Sequence, residues 1–361
     1  MRSGWGRPLP APSKSMPGMD HTRVVKRYLS DVAIAFLALF CLPSAALLIA
    51  GVSPFAAFCH LFSGVIGSWS KISHVLSAWT PLTLCACGLL YTFRINLWNI
   101  GVEGQIILGA VFATAVLRWC PSDALGRVWL MLSLLAGAGG GILWGLLAGQ
   151  LKTRGGINEI FSGLGLNFAA QGLVLWLVFG PWKRLGTASM SGTEPFPAAL
   201  WLPRLWDARI SPTGLILLFV VAAATGLVLM GTGTGLRLKA IGSNPRAAHL
   251  YGLSRHRNML LAMACSGGIA GLVGSLQITD VYHRLLPAIS SNYGYLSLLV
   301  AMVAGYRMRW IPLASLLFAC LNHGSIQLPM NLGIDSSFAG VMQGLLVLTI
   351  LGLHGRHAKG R

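Results

Sequence analysis

Long apolar runs, separated by short polar segments, dominate the chain from about residue 32 to residue 353. A helix needs about 20 predominantly apolar residues to cross a bilayer. On that scale the pattern predicts ten membrane segments, at 32–52, 75–93, 103–117, 128–150, 160–180, 212–231, 258–278, 293–305, 311–330 and 337–353. Two of them, 103–117 and 293–305, are short for a crossing and are typical of half-helices buried in protein. The pattern therefore predicts an all-α fold, a polytopic transmembrane helical bundle with eight to ten membrane segments.

Lysine and arginine are unevenly divided between the two sets of predicted loops. With a cytoplasmic N-terminus, the inside loops hold 19 of these residues in 88 positions, and the outside loops hold 8 in 83 positions. Because positive charge accumulates on the cytoplasmic side of membrane proteins, this bias predicts that both termini are cytoplasmic. Residues 1–30 are expected to form a disordered basic tail and 355–361 a short basic tail, with the membrane domain between them at 31–354.

The composition supports this class of protein. Hydrophobic residues make up 55% of the chain and charged residues only 10%, whereas soluble domains carry about 25% charged residues. The formal charge of +18 is spread over many loops rather than along a basic stripe with aromatic residues, so no nucleic-acid partner is expected. Cys85 and Cys87 form a Cys-Ala-Cys run, which is not a zinc-ligand spacing, and no metal site is expected.

Small residues recur at helical spacing in two predicted segments. Gly137, Gly141, Gly145 and Gly149 share one face of the fourth segment. The seventh segment repeats the pattern with Gly267, Gly271 and Ser275. In lipid, such faces let helix backbones approach closely and gain dispersion contacts. These glycines are expected to pack helices together, either with no further role or within a bundle that rearranges.

Several amide side chains and one acid fall at predicted membrane depth. The run RINLWNIGVEGQIILGA at 94–110 contains Asn99, Glu103 and Gln105. Glu103 is interpreted either as a helix-start acid at the cytoplasmic boundary, paired with Arg94, or as a residue that faces a pore or gate. Further candidates for a translocation path or gate are Asn158, Asn167, Gln171, Asn322 and Gln343, with ordinary inter-helix hydrogen bonds as the alternative. Amides carry donors and acceptors, which suits a neutral, hydroxyl-rich or heterocyclic solute.

Sequence motifs that would supply catalysis or energy are absent. The chain has no Gly-x-x-x-x-Gly-Lys-Ser/Thr run, no His-Glu-x-x-His and no Gly-x-Ser-x-Gly. No catalytic residue and no cofactor is therefore predicted on this chain. If the protein pumps a solute, the energy must come from elsewhere.

A short helix outside the membrane is predicted in the loop at 232–257. Asn244 is a good N-cap, Pro245 suits the first helical position, and Gly252 fits the stop just beyond the helix. Leu250 and Tyr251 are expected to anchor this helix, with Arg246 and His249 facing outward. The alternative is a basic linker attracted to anionic lipid, although a linker has no need of start and stop signals.

The run RAAHLYG resembles the loop of ABC importer permeases in which Glu-Ala-Ala is followed, three residues later, by Gly. LKAIGSNPRAAHLYGLSRHRN, ACSGGIAGLVGSLQ, NLWNIGVEGQIILGA and GGINEIFSGLGLN are similar to the nucleoside and simple-sugar branch of that family. The resemblance runs from about residue 30 to residue 354. It implies a permease domain at 31–354 whose loop at 232–257 couples to an ATPase through Asn244, Pro245, Arg246, Ala247, Ala248 and Gly252.

The resemblance also implies partners. These are ATP-binding-cassette subunits that hold ATP and Mg²⁺, a second permease subunit, a periplasmic or lipid-anchored solute-binding protein, and the lipid bilayer of a bacterial inner membrane. Arg246 departs from the general motif, which has an acid there, and this leaves its ion-pair partner on the ATPase open. An ion-coupled secondary transporter and an intramembrane enzyme are the alternative functions. The sequence shows no convincing central acid and no internal repeat, which a secondary transporter would be expected to have. It also shows no catalytic motif, which an intramembrane enzyme would need.

Overall fold

A computed structural model describes residues 51–121, 126–184, 192–205 and 209–333, together with scattered positions at 41–48 and 340–352. Every regular element in these ranges is helical. The two predicted tails, most of the predicted segment 32–52 and about half of the predicted segment 337–353 lie outside the described residues. The prediction of an all-α fold is confirmed for the part of the chain that the structure describes.

The helices follow one another in chain order through the described ranges. They are α1 (Pro54–Ile66), α2 (Trp69–Arg94), α3 (Val102–Arg118), α4 (Gly126–Thr153), α5 (Glu159–Phe179), α6 (Pro212–Gly231), α7 (Gly233–Ser243), α8 (Pro245–Leu250), α9 (Arg255–Leu276), α10 (Tyr293–Val303), α11 (Ile311–Gly324) and α12 (Gln327–Leu332). A π-helical turn, Gln277–Tyr282, extends α9. Short 3₁₀ turns occur at Ala198–Leu200 and Met308–Trp310.

Five of these helices are long and apolar enough to cross a membrane: α2, α4, α5, α6, and α9 with its π turn. Each contains most of a segment predicted from the sequence. The two short predicted segments correspond to α3, with 17 residues, and α10, with 11 residues. At 1.5 Å per residue these helices are about 25 Å and about 16 Å long, which is less than a full bilayer crossing. The total of ten segments and the sidedness of the termini stay predictions.

Three details of the sequence interpretation are wrong. Helix α1 lies in a predicted outside loop, because its 13 residues are too few for a search based on 20. Helix α7 lies in the predicted loop at 232–257, where Thr232 caps its start. The predicted segment 311–330 is divided into α11 and α12; Pro329 falls in the first turn of α12, where no intrahelical N–H bond is needed.

Glycines join α4 to α9 at close range. A Cβ atom built at Gly141 would overlap the carbonyl oxygen of Gly267 and would lie 2.8 Å from the Cα of Gly271. One built at Gly137 would overlap the Ser275 hydroxyl, and others at Gly145 and Gly149 would press on Met263 and Leu260 of α9. Both predicted glycine faces therefore lie at one interface, where backbone contacts backbone directly.

Helices α2 and α9 form the centre of the described bundle. α2 is the most buried of the five long helices and α6 is the least buried, so α6 presents most of its surface to lipid or to a partner. The main apolar cluster joins α2, α9, α10 and α11, with Leu82, Leu89, Val273, Val300 and Phe318 among its fully buried members. This core holds the shorter helices α3 and α10 in place.

Candidate functional site

Asn99 and Gln105 form a buried pair at the start of α3. The Asn99 amide nitrogen donates to Gln105 Oε1 at 3.0 Å and to the Ser266 hydroxyl of α9 at 2.9 Å. Gln105 donates back to Asn99 Oδ1 at 3.2 Å. Both amides are almost completely buried, and their hydrogen-bonding groups are directed at protein. This pair connects the segment before α3 to the middle of α9.

Asn167 of α5 extends this network. Its Oδ1 accepts from the Gly104 N–H at 2.8 Å, and its amide nitrogen donates to the Ile100 carbonyl and to the Tyr295 hydroxyl, both at 3.0 Å. Tyr295 is 37% exposed, whereas Asn167 is only 5% exposed. The buried polar network therefore reaches the surface at Tyr295.

Glu103 lies where two helices begin. It belongs to the first turn of α3, and its Oε2 accepts from the Gly294 N–H of α10 at 2.8 Å. The carboxylate also faces the N–H groups of Asn292 and Tyr295 and the hydroxyl of Ser290. Because helix N-termini carry partial positive charge, a carboxylate shared by two of them is stabilised without a cationic partner. Glu103 thus lies at a helix start, as one interpretation expected, but the expected pairing with Arg94 is wrong: the buried acid caps α10.

The network lies deep in the bundle. Ser266 is the twelfth of 22 residues in α9, and Asn167 is the ninth of 21 in α5. The non-helical segment 95–101 leads to this depth from the end of α2, and 283–292 leads there from the opposite end of α9. Irregular backbone is tolerated at membrane depth only where protein buries it or water lines it. α3 and α10 are thus half-helices whose starts meet inside the bundle.

Replacing Glu103 with Gln is expected to lower thermal stability. The amide keeps the size of the side chain but replaces an acceptor oxygen with a donor that faces N–H groups, at a cost of about 1–3 kcal/mol. The measurement is the unfolding temperature of the purified chain in detergent. Glu194→Gln, at an exposed position, serves as the matched control. Equal unfolding temperatures for the two variants would contradict the capping role.

The other predicted path residues lie outside this network. Asn158 is exposed and caps α5, with Oδ1 accepting from Ile160 N at 2.8 Å. Gln171 donates to the Pro287 carbonyl at 2.7 Å, which ties α5 to the segment before α10. Asn322 lies on α11, and Gln343 is buried in the partly described region after α12. The structure therefore gathers four of the eight candidates and separates the rest.

The short helix outside the bundle forms as its sequence predicts. Asn244 Oδ1 accepts from the Ala247 N–H at 3.1 Å, and Pro245 occupies the first helical position. Gly252 has a φ of +76°, and its N–H donates to the His249 carbonyl at 2.9 Å. Leu253 N donates to the Ala248 carbonyl at 3.0 Å, which completes a Schellman motif. These caps give α8 defined ends on both sides.

One side-chain orientation on α8 is corrected. Leu250 and Tyr251 are 87% and 86% exposed, so they do not anchor the helix to this chain. The buried contact is made by Ala248, together with Leu253 just beyond the helix. Arg246 and His249 are exposed, as expected. α8 thus presents a mixed apolar and basic surface away from the bundle.

A cluster at the opposite end of the bundle was missed by the sequence analysis. Arg204 donates to His283 Nε2 at 2.7 Å, and the His283 ring stacks on Trp201 at 3.9 Å. Burial and the nearby Arg204 lower the pKa of His283 to about 4, so the ring is neutral at neutral pH. Asp280 lies in the π turn beside Gly214 of α6. Asp280 follows the predicted end of its segment at 278, and hydropathy gives no signal for a π turn.

Comparison with known proteins identifies the family. The chain matches the family described as branched-chain amino acid transport system, permease component, over residues 71–351. It is 29% identical to a glucose ABC transporter permease protein of Haloferax volcanii, over 92% of this chain and 90% of that protein. It is 25% identical to a guanosine ABC transporter permease protein of Bacillus subtilis, over 84% of this chain and 87% of that protein. No solved structure matches the chain significantly.

The family match covers most of the chain and nearly all of the described helices. Residues 71–351 include α2 to α12, so both the buried network and α8 fall within the matched region. The resemblance to ABC importer permeases that the sequence showed is confirmed by these relatives. The chain belongs to the family described as branched-chain amino acid transport system, permease component.

Proposed function

We propose that this chain is the multi-pass permease subunit of an ATP-binding-cassette importer in a bacterial inner (plasma) membrane. It forms the translocation path for a nucleoside or a simple, ribose-like sugar. The observation that carries the proposal is α8, a capped helix whose outer residues are exposed although two of them are apolar. Such a surface fits a partner that docks from outside the bundle.

The substrate class follows from the relatives and from the amides. The similar proteins are named as transporters of glucose, guanosine and nucleosides. All of these solutes are neutral and rich in hydroxyl groups, and Asn and Gln side chains can donate to and accept from them. The path is proposed to follow the surface beside Tyr295, where the buried network reaches its edge, and beside Gln171, one turn along α5 from Asn167.

Coupling is proposed to run from α8 to the network through a continuous series of contacts. α7 precedes α8 directly, and a Cβ at Gly242 of α7 would lie 3.2 Å from the Ile95 Cα. The Asn96 amide donates to the Gly242 carbonyl at 2.7 Å. Asn96 begins the segment that continues to Asn99 and Glu103. A shift of α8 would therefore reach the half-helices through short, well-packed links.

The partners of the complete importer supply what this chain lacks. ATP-binding-cassette subunits would hold ATP and Mg²⁺ and close against α8, while this chain itself holds no cofactor. A second permease subunit would complete the path, and a solute-binding protein would deliver substrate to the opposite face. The family and the names of the relatives support this assembly.

Reconstitution tests the proposal directly. The chain is co-expressed with ATPase and solute-binding proteins of the same importer type from its source organism, purified, and placed in proteoliposomes. Uptake of labelled guanosine, adenosine, ribose and glucose is then measured. We expect uptake of at least one solute that requires ATP hydrolysis and stops when the ATPase is inactivated by mutation.

Two results would contradict this function. The first is failure of the chain to co-purify with any ATPase subunit while it remains folded and membrane-inserted. The second is solute uptake by the chain alone, driven by an ion gradient without ATP, which is the behaviour of a secondary transporter.

A further inference from the structure

A basic cavity lies at the end of the bundle that carries α7 and α8. Its volume is about 580 Å³. It is lined by the ends of α2 and α6, by helix α7, and by the loop between α10 and α11. Among the described residues that line it are four cationic side chains and no acidic one: Arg94, Lys239, Arg307 and Arg309. Such a concentration of uncompensated positive charge favours an anionic ligand.

Aromatic side chains form part of the cavity wall. Phe93 packs edge-on against Trp98 at 5.5 Å, and its ring centroid lies 4.7 Å from that of Tyr306. Trp98 is 39% exposed, and Trp310, beside Arg309, is 47% exposed. Partly exposed tryptophans at the end of a membrane bundle are typical of the headgroup level of a bilayer. Tryptophans at that level would place the cavity at the depth of lipid phosphates.

Two features of the wall suggest a binding site rather than a set of solvated charges. The Nε of Arg94 is buried and has no hydrogen-bond partner within the described ranges. Tyr306, which lines the cavity, has a φ of +57°, which is unusual for a bulky residue, whereas the positive φ of Asn96 is the ordinary stop of α2. Backbone held in this sparsely populated region is frequent at ligand-binding sites. Because this nitrogen is buried, an anion in the cavity would reach it only if the Arg94 side chain turned toward the cavity.

The apolar side of the cavity points to the body of the ligand. Leu229 and Met230 line the cavity at the end of α6, the least buried of the long helices. Met230 is 78% exposed. Charge and hydrocarbon thus meet along one wall, as they do in an amphiphile. We propose that this cavity binds the phosphate headgroup of an anionic phospholipid from the adjacent leaflet, with its acyl chains along α6.

The bound phosphate would connect two parts of the coupling region. Lys239 lies on α7, next to α8, while Arg307 lies in the loop between α10 and α11. A single phosphate contacted by both side chains would tie α7 to the end of α10, the half-helix capped by Glu103. The lipid would therefore hold the coupling helix in position relative to the buried network.

Native mass spectrometry of the full-length permease tests this assignment. The purified chain is presented with phosphatidylglycerol and with zwitterionic phosphatidylcholine, and the retained lipid is counted. Lys239→Gln combined with Arg307→Gln removes two exposed charges and is expected to weaken phosphatidylglycerol retention about tenfold or more. Arg94→Gln, measured separately, is expected to weaken it as well. Arg237→Gln combined with Arg257→Gln, exposed and outside the cavity, is the matched control.

The assignment is supported if phosphatidylglycerol is retained over phosphatidylcholine, and if only the cavity variants lose that preference. It is overturned if the control pair loses retention equally, which would indicate general surface charge. Stronger binding of inorganic phosphate or ATP than of phosphatidylglycerol would also overturn it, because the ligand would then be a free phosphate. Equal retention of both lipids by the unaltered chain would overturn the assignment as well, because it would show no preference for the anionic headgroup.

Discussion

Gly141→Leu is expected to abolish assembly of the helical bundle. A Cβ at this position overlaps the Gly267 carbonyl oxygen and lies 2.8 Å from the Gly271 backbone nitrogen, so backbone rather than a flexible side chain would have to move. Overpacking of this kind costs at least about 3 kcal/mol, the upper part of the usual range for cores. The expected result is a large loss of folded protein in the membrane fraction, measured by membrane yield and size-exclusion chromatography.

Gly139→Leu is the matched control for this experiment. Gly139 lies two residues away on the same helix, and a Cβ there meets nothing within 4 Å. The control has the same change in hydrophobicity and helix propensity, so it should assemble and transport nearly normally. Normal membrane yield together with normal uptake in Gly141→Leu would show that close packing of α4 on α9 is not required.

Gly252→Pro is expected to uncouple ATP hydrolysis from uptake while the chain still inserts into the membrane. Proline fixes φ near −65°, whereas Gly252 has a φ of +76°. It also removes the N–H that donates to the His249 carbonyl. The end of α8 would therefore be lost, and uptake in the reconstituted importer should fall at least tenfold, with ATP hydrolysis continuing. Gly252→Asn is the control, because Asn tolerates positive φ and the surrounding space is open.

Charge reversal at Arg246 separates docking from folding of the same helix. The side chain is exposed and lies in the first turn of α8, where an acid is favourable to the helix. Arg246→Glu should therefore leave α8 folded and still reduce coupling, because the docking surface for this chain's own ATPase is changed. Wild-type ratios of uptake to ATP hydrolysis in both Gly252→Pro and Arg246→Glu would rule out α8 as the coupling element.

Local signals explain which parts of the structure the sequence predicts. The start and stop of α8 depend on Asn244, Pro245 and Gly252, whose effects act within a few residues, and α8 forms where they predict it. The glycine faces of α4 and α9 follow from helical periodicity alone. The predicted anchoring role of Leu250 and Tyr251 is wrong, because an apolar side chain on a two-turn helix can face a partner that belongs to another chain.

The meeting of Glu103 with Gly294 could not be read from the sequence. The two residues are separated by 191 positions, and their contact depends on the packing of two half-helices against α5 and α9. Hydropathy marks α3 and α10 as short but contains no information about which helix starts face each other. The same limit applies to Ser266 and Tyr295, because hydropathy marks neither residue as a member of the network.

The glycine contact between α4 and α9 has a consequence for how the importer moves. Where their glycines meet, the two helices contact backbone to backbone with no long side chain whose rotamers could allow sliding, so we expect them to move as one rigid body. α9 follows α8 after the Ser254 cap, and it carries α4 with it. A displacement of α8 would then move α4 and α9 together. The flexible hinge would have to lie elsewhere, among less buried helices such as α6.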